Sequence, residues 1–427
     1  MATFLHAALY TFYLALFLWL IFRWSFFKVE GTPKAHFAFF FLLKVAAGVA
    51  LTLVYTYYYT DQQKADIYRY FNDSRVISPL LFTDPAAWLK IMTGYHIDDP
   101  GTFLYLINTH YFSHPGSDIV TNNTFIIRVN VLLNYLSFTN IYINTLLLNF
   151  ISFASLTLLY RLLAPYFTQF SYILYIPIFL LPSVVFWSSG LLKEALLFTC
   201  LGPFFYYGAN AKELPLYKYI LGMAAGLLML FIKLQVGFFA IMSLFLCMHQ
   251  GKRLMPVWLR LSLFAAMCAI GIYFGGSDIV DMLINKRNEF AQLAVDENAG
   301  SFLSTPYLEP TATNLIALMP QAMVNAMLRP FVWEGSKLFQ LVFAIENTLF
   351  LLMLTGLLFF FKRPTAIRLQ LCLCFLFFAL ANYLVIGITV PVMGAIVHYR
   401  VIATPFLLLA VLLAVDLERL KSLVRGR

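Results

Sequence analysis

Residues 4–22 read FLHAALYTFYLALFLWLIF, and residues 37–58 read FAFFFLLKVAAGVALTLVYTYY. The first run holds no Asp, Glu, Lys or Arg, and the second holds only Lys44. A helix needs about 20 apolar residues to cross the ~30 Å hydrocarbon core of a bilayer, and both runs are near that length. The rest of the chain has the same character. Of its 427 residues 61% are hydrophobic and 11% charged, and its mean hydropathy is +0.80. No water-soluble domain hides that much apolar surface. Lipid is therefore the solvent for most of the chain, which makes it all-α and polytopic. The first run is followed by Arg23 and Lys28 with no cleavage pattern, so a retained helix is expected rather than a signal peptide.

Apolar runs place candidate spans at 4–22, 37–58, 141–160, 172–187, 191–208, 217–232, 236–248, 258–274, 341–361, 369–388 and 401–415, eleven in all. Alternate connections (23–36, 161–171, 209–216, 249–260, 362–368 and the 416–427 tail), with Lys218, gather sixteen Lys and Arg against four acids. By the positive-inside rule these face the cytoplasm, with the N-terminus outside. The odd span count agrees with termini on opposite sides. The net charge of +9 is then a topology signal, and no nucleic-acid motif accompanies it. Two long segments, 59–140 and 275–340, fall on the outer side. Their aromatic residues suit short helices lying along the membrane surface. One integral membrane domain, 1–427, is expected. The five cysteines (Cys200, Cys247, Cys268, Cys372 and Cys374) sit in apolar stretches without metal-ligand spacing to His, and read as packed thiols.

With so few charges, those at span ends become candidates for function. The first group is DQQKADIYRYF, residues 61–71. On a helix Asp66, Arg69 and Tyr70 share a face. A carboxylate at the outer surface suits a general base toward a sugar hydroxyl, or a ligand for a divalent cation. It is equally the kind of acid that starts a solvated helix, and Asp61 competes for either role.

The second group is PSVVFWSSGLLKE, residues 182–194. Pro182 and Gly190 break a helix, and Ser188 and Ser189 precede a new one. Free N–H groups at that helix start, with Lys193 in the first turn, suit a phosphate or pyrophosphate. The alternative is a Ser-capped hairpin in which Lys193 and Glu194 are structural.

The third group is Arg329-Pro-Phe-Val-Trp333-Glu334, leading to Glu346 inside the next span. A carboxylate in apolar sequence needs a partner, and Arg329, Lys337 or Arg400 can supply it. That pairing would equally lock the loop. The fourth is His398-Tyr399-Arg400 before the last span. Lys193, Lys233 and Arg400 all stand on the outer side against the positive-inside rule. Snorkelling accounts for each one singly. Together they fit an anionic head group such as a polyprenyl phosphate, with Arg as a bidentate fork and Lys as a point charge. Lys44 needs a partner that the sequence does not name.

Taken in order over roughly 60–415, these segments resemble polytopic membrane glycosyltransferases of the GT-C type and polysaccharide polymerases of the EpsG type. The Trp-Ser-Ser-Gly-Leu-Leu-Lys-Glu run is the most specific part. In GT-C enzymes the outer loop with the catalytic carboxylate usually follows the first helix, whereas here it follows the second. The resemblance implies a GT-C fold and sugar transfer from a polyprenyl-phosphate-linked donor to a saccharide acceptor. This would occur at the outer face of the bacterial cytoplasmic membrane, in cell-surface polysaccharide synthesis. Asp66 would be the base of an inverting reaction, with Lys193, Arg329 and Arg400 on the donor phosphate and Tyr70, Trp187 or Trp333 stacking on sugar. Other readings are a transporter or flippase of lipid-linked saccharides, which would show inverted repeats, and a non-catalytic subunit of an assembly complex.

Overall fold

In the computed structural model the two opening runs fold as α1 (Ala2–Arg23) and α2 (Lys34–Leu53), the second prolonged by a π turn, Val54–Tyr58. Between them Lys34 Nζ donates to the carbonyls of Phe22 (2.7 Å) and Trp24 (3.1 Å), satisfying acceptors that the end of α1 leaves open. The structure describes residues 2–58, 65–112, 122–210, 214–247, 257–334 and 338–424. It contains nineteen α-helices among them and is all-α. The chain forms two compact units. The first comprises Met1–Leu180, Val185–Tyr206 and Tyr219–Gly237, and the second comprises Leu181–Val184, Tyr207–Lys218 and Phe238–Arg427.

In the first unit α2 is followed by short helices: α3 (Asp66–Ile77), α4 (Leu80–Thr83), α5 (Pro85–Thr93), α6 (Pro100–Leu106) and α7 (Asn122–Ser137). Their punctuation is visible in the sequence. Asp84 accepts from the N–H of Ala87 (3.0 Å) with Pro85 beside it, and α5 ends on Gly94 at φ +80°. The long α8 (Ile141–Phe167) is capped by Asn140, which accepts from the N–H groups of Tyr142 and Ile143. It is the hub of the unit, with 78% of its apolar window buried against 11% for α1. Phe17 stacks on Phe150 with ring centroids 4.1 Å apart, and Phe41 and Phe27 close on Phe153.

Lipid is as apolar as these rings, so burial alone gives little drive between spans, and close packing with polar contacts decides their arrangement. One such contact joins three helices. Asn144 of α8 donates to Asn134 of α7 (2.8 Å), which donates to Ser74 (3.0 Å) and Ser78 (2.9 Å) at the end of α3.

After α8 the chain continues through α9 (Pro182–Trp187), α10 (Lys193–Ala209), α11 (Leu216–Ile232) and α12 (Leu234–Cys247). The second unit holds α13 (Val257–Asp296), whose backbone leaves helical geometry at Gly275, then α14 (Ala312–Met327) and α15 (Leu338–Leu358). It ends with α16 (Ala366–Thr389), α17 (Met393–Arg400), α18 (Thr404–Leu413) and α19 (Leu417–Val424). Here α16 is central, packed by α14 and α18. Gly387 presses on the Ala322 carbonyl too closely to admit a Cβ. Phe378 and Phe375 meet Phe406 edge-on at 4.8 and 5.3 Å.

The expectation of eleven spans is corrected. Among the described residues five helical segments are long and apolar enough to cross a membrane: Phe4–Arg23, Lys34–Tyr57, Ile141–Leu174, Gln340–Leu358 and Ala366–Thr389. A sixth arises if α17 and α18, bent by 52° at the break between them, form one broken span. The run 172–187 is not one helix. It passes from a 3-10 segment (Thr168–Leu174) to a π turn (Ile176–Leu180) to the six residues of α9, with Pro177 and Pro182 removing N–H donors on the way. At 1.5 Å per residue the 17 residues of α10 or α11 and the 14 of α12 fall short of a ~30 Å core. With five spans, or six if the bent pair is one, parity no longer assigns the termini to opposite sides.

In the first unit close approach also demands a glycine at position 48. A Cβ on Gly48 of α2 would lie 2.6 Å from both the Asn149 amide nitrogen and the Ser189 carbonyl. Gly48→Val should therefore lower stability by about 1–3 kcal/mol, the usual cost of overpacking. A detergent-solubilised variant that melts at the wild-type temperature would show the contact to be slack.

Candidate functional site

In the first unit the segment after α9 is drawn along α2. Lys44 is buried and donates to the Ser188 carbonyl (2.6 Å), the Ser188 hydroxyl (2.7 Å) and the Ser189 hydroxyl (3.3 Å). Ser189 then meets Gly48, and Gly190 meets Leu51. Three successive residues thus contact α2 about one turn apart, rising from Lys44 toward the end where α3 begins. Ser189 also turns its hydroxyl back to the Val185 carbonyl. This is the partner of Lys44 that the sequence left unnamed. It gives Ser188-Ser189-Gly190 a concrete role: the segment is anchored, and α10 starts from it at Lys193.

The end of α2 and the start of α3 are tied by Thr56 and Tyr68, whose hydroxyls are 2.5 Å apart. Around this junction several expected residues converge. Asp66, the first residue of α3, accepts from the Tyr111 hydroxyl at 3.2 Å. The Tyr111 ring stacks on that of Tyr70 (5.3 Å). Tyr70 is buried and donates to Asn123 Oδ1 (3.1 Å), which also accepts from Lys193 Nζ (2.8 Å). The Lys193 ammonium stands 6.0 Å from the centre of the Tyr70 ring, within cation–π reach. Glu194, the next residue, is buried, and Lys233 Nζ lies 3.8 Å from its Oε1. Asp66, Tyr70 and Lys193 are therefore linked through Tyr111 and Asn123, and the Glu194–Lys233 pair adjoins them at the residue after Lys193.

The electrostatics are consistent with that layout. Burial first, then the Asp66 carboxylate, holds the Tyr70 phenol well above its usual range, and the same two causes raise Tyr111. Both therefore remain hydrogen-bond donors at working pH. Sequence reading missed Asp73 and Asn123 as helpers, and placed Arg69 only on the helix face shared with Asp66 and Tyr70. Buried Asp73, two turns along α3 from Asp66, accepts from the backbone N–H groups of His110 (2.8 Å) and Tyr111 (2.9 Å) and so sets Tyr111 in place. Burial raises the Asp73 carboxyl, against the pull of those two bonds. Arg69 bonds the Tyr111 side chain. Asn123 joins Tyr70 to Lys193. Asp61 lies outside the described residues, as does Lys337. Among the described residues no three His, Cys, Asp or Glu side chains are grouped to hold a metal ion.

The other expected residues belong elsewhere. Trp187 is half-buried, with its ring edge-on to Phe186 at 5.2 Å. In the second unit Arg329 is clamped to Glu334, Nε donating at 2.8 Å and Nη2 closing on the same oxygen. The other Glu334 oxygen accepts from the Phe331 N–H (2.9 Å). Burial pushes Glu334 upward, but Arg329 and that N–H prevail and hold it below the usual carboxylate range. Buried Arg400 donates to the carbonyls of Ala326 (3.2 Å) and Arg329 (2.5 Å), just where α14 runs out of its own donors. Glu346 accepts from the Ser183 N–H through both oxygens (3.0 and 3.1 Å). It shares with Arg400, Tyr383 and Asn347 a cavity of about 10 Å³, the size of a single water. Trp333 stacks on Phe331 (4.8 Å) and is 81% exposed, and His398 is half-buried against Tyr399. Arg329, Glu334, Glu346 and Arg400 are thus held largely by backbone and by one another, the loop-locking arrangement weighed above.

Long apolar helices and a polar cluster at the end of one of them define a multi-pass helical membrane protein. The chain matches no protein-family model, no curated protein and no solved structure at a significant level.

Proposed function

We propose that the protein is a membrane glycosyltransferase or polymerase of cell-surface polysaccharide, acting with a polyprenyl-phosphate-linked sugar at the outer face of the bacterial cytoplasmic membrane. The observation that carries this reading is the junction cluster. It sets a half-exposed carboxylate (Asp66) and an ammonium (Lys193) on either side of stacked Tyr70 and Tyr111. Those are the groups that glycosyl transfer from a lipid phosphate requires.

Asp66 takes the proton of the acceptor hydroxyl, whose oxygen bonds to the anomeric carbon. The bond from that carbon to the phosphate oxygen breaks, and the phosphate departs with the electron pair, its charge met by Lys193. Attack opposite the leaving group inverts the anomeric centre. Tyr111 holds the carboxylate, Asn123 holds the ammonium, and the tyrosine rings offer a surface to a sugar. A divalent cation beside Asp66 is compatible with this scheme and is not required by it.

The test is a comparison of surface glycans in cells with and without the chain, together with assay of the purified protein for release of polyprenyl phosphate from a lipid-linked sugar. Loss or truncation of a glycan together with release of the lipid phosphate is expected. An unchanged glycan with no turnover would end the enzymatic reading.

A further inference from the structure

At the other end of the first unit lies a cleft of about 620 Å³ to which neither the fold nor the junction cluster gives a role. It is lined by Lys28 and Glu30 from the α1–α2 connection, Arg161 near the end of α8, Thr168 and Gln169 just beyond it, and Tyr206 of α10. From Lys34 to Tyr57 the second span covers about 36 Å at 1.5 Å per residue, so this cleft and the junction cluster are a membrane thickness apart.

The cleft is built around Arg161. Its Nη1 donates to the Phe26 carbonyl at 3.0 Å, and the guanidinium sits 5.6 Å from the Phe26 ring and 5.8 Å from the Tyr206 ring. One backbone bond and two rings fix the plane of the fork, leaving its remaining N–H groups for an acceptor. Lys28 and Glu30 line the same cleft and are exposed. Among the described residues no ion pair joins Lys28, Glu30 or Arg161 to one another or to any other side chain. Two cations and one carboxylate face a single cleft without neutralising each other. The carbonyl end of α8 adds partial negative charge on the side of Thr168 and Gln169.

A plain anion would meet Glu30 and that helix end unfavourably, and a plain cation would meet Arg161 and Lys28. A group carrying both charges a few atoms apart satisfies the whole lining. We propose that this cleft binds a phosphoethanolamine group. The phosphate lies on the Arg161 fork with Lys28, and the primary ammonium lies toward Glu30 and the end of α8. Its place at the head of two spans, between Arg23 and Lys34, suits a phospholipid head group entering from the bilayer, although a soluble phosphoethanolamine ester has the same chemistry.

The full-length protein in detergent is titrated with dihexanoyl phosphatidylethanolamine, the matching phosphatidylcholine and phosphatidylglycerol, and free phosphoethanolamine. Binding is followed by native mass spectrometry and by thermal shift. Saturable binding of the ethanolamine lipid is expected, at least about tenfold tighter than the other two lipids. Lys28→Glu should weaken it about tenfold, and Glu30→Gln should erase the preference over phosphatidylglycerol. Both side chains are exposed, so wild-type melting in the absence of lipid is expected for each. Should free phosphoethanolamine bind as well as the lipid, the site reads a soluble ester and the assigned group stands. Equal binding of phosphatidylglycerol, non-saturable binding, or indifference to Lys28→Glu would overturn the assignment. None of these outcomes depends on sugar transfer at the opposite end.

Discussion

Asp66→Asn is expected to lower turnover by about 10²–10⁴-fold, the usual contribution of a positioned general base, while the protein folds and reaches the membrane as before. The substitution is nearly isosteric. An amide oxygen at the position of Oδ1 still accepts from Tyr111, so the stack of Tyr111 on Tyr70 and the anchoring of Tyr111 by Asp73 are kept. The loss of a negative charge in the first turn of α3 costs only about 0.3–1 kcal/mol through the helix dipole. Activity and stability should therefore separate. Tyr111→Phe gives the internal comparison, because it removes the hydroxyl that donates to Asp66 and bonds Arg69 but leaves the base, and a fall of less than about tenfold is expected. The measurement is initial rate on a lipid-linked donor with the melting temperature of each variant alongside. Wild-type turnover in Asp66→Asn would remove this carboxylate from the chemistry. A large drop in melting temperature would support instead a structural subunit whose charges are locks.

Lys44→Met should produce the opposite pattern, with stability and activity falling together. Methionine fills much of the stem volume but donates nothing, so the Ser188 carbonyl and two serine hydroxyls lose a charged donor deep in the bundle. Hydrogen bonds to a charged group contribute about 1.5–3 kcal/mol each, whereas neutral bonds between helices in a bilayer average about 0.6 kcal/mol. Relief from burying the ammonium offsets part of the loss, and a net destabilisation of roughly 2–4 kcal/mol is expected. Because Ser188-Ser189-Gly190 leads directly to Lys193, the bond from Lys193 to Asn123 should loosen as well. Denaturant titration of purified protein measures the first effect, and donor affinity measures the second. Unaltered stability would mean that packing at Gly48 and Gly190 alone holds the segment.

Helicity and the first two spans were legible because each rests on a local pattern, an uninterrupted apolar run of spanning length. A helix carrying Asp66 and a new helix with Lys193 in its first turn were also expected, and the helices start at Asp66 and at Lys193. Span number was not legible from hydropathy. An average over 172–187 does not register that Pro177 and Pro182 divide it into three backbone geometries. The candidate site was half legible. Asp66 and Tyr70 share a helix face by spacing, but Tyr111 and Asn123 reach them across 45 and 53 residues of chain, where no periodicity links one to the other. Arg329 and Arg400 drew attention as cations standing out of place. Their acceptors proved to be a carboxylate five residues away and the open carbonyls of α14, which a sequence read for charge alone does not display.

The anchoring of Lys44 also imposes an order of events on biogenesis. Ser188 is made 144 residues after Lys44. At a synthesis rate of roughly 5–20 residues per second, about 7–30 s pass between the two. During that interval the second span has entered the translocation machinery with an ammonium near its middle and no serine to receive it. Until α9 and the Ser-Ser-Gly segment emerge, the second span carries that side chain without the three acceptors it has in the folded unit.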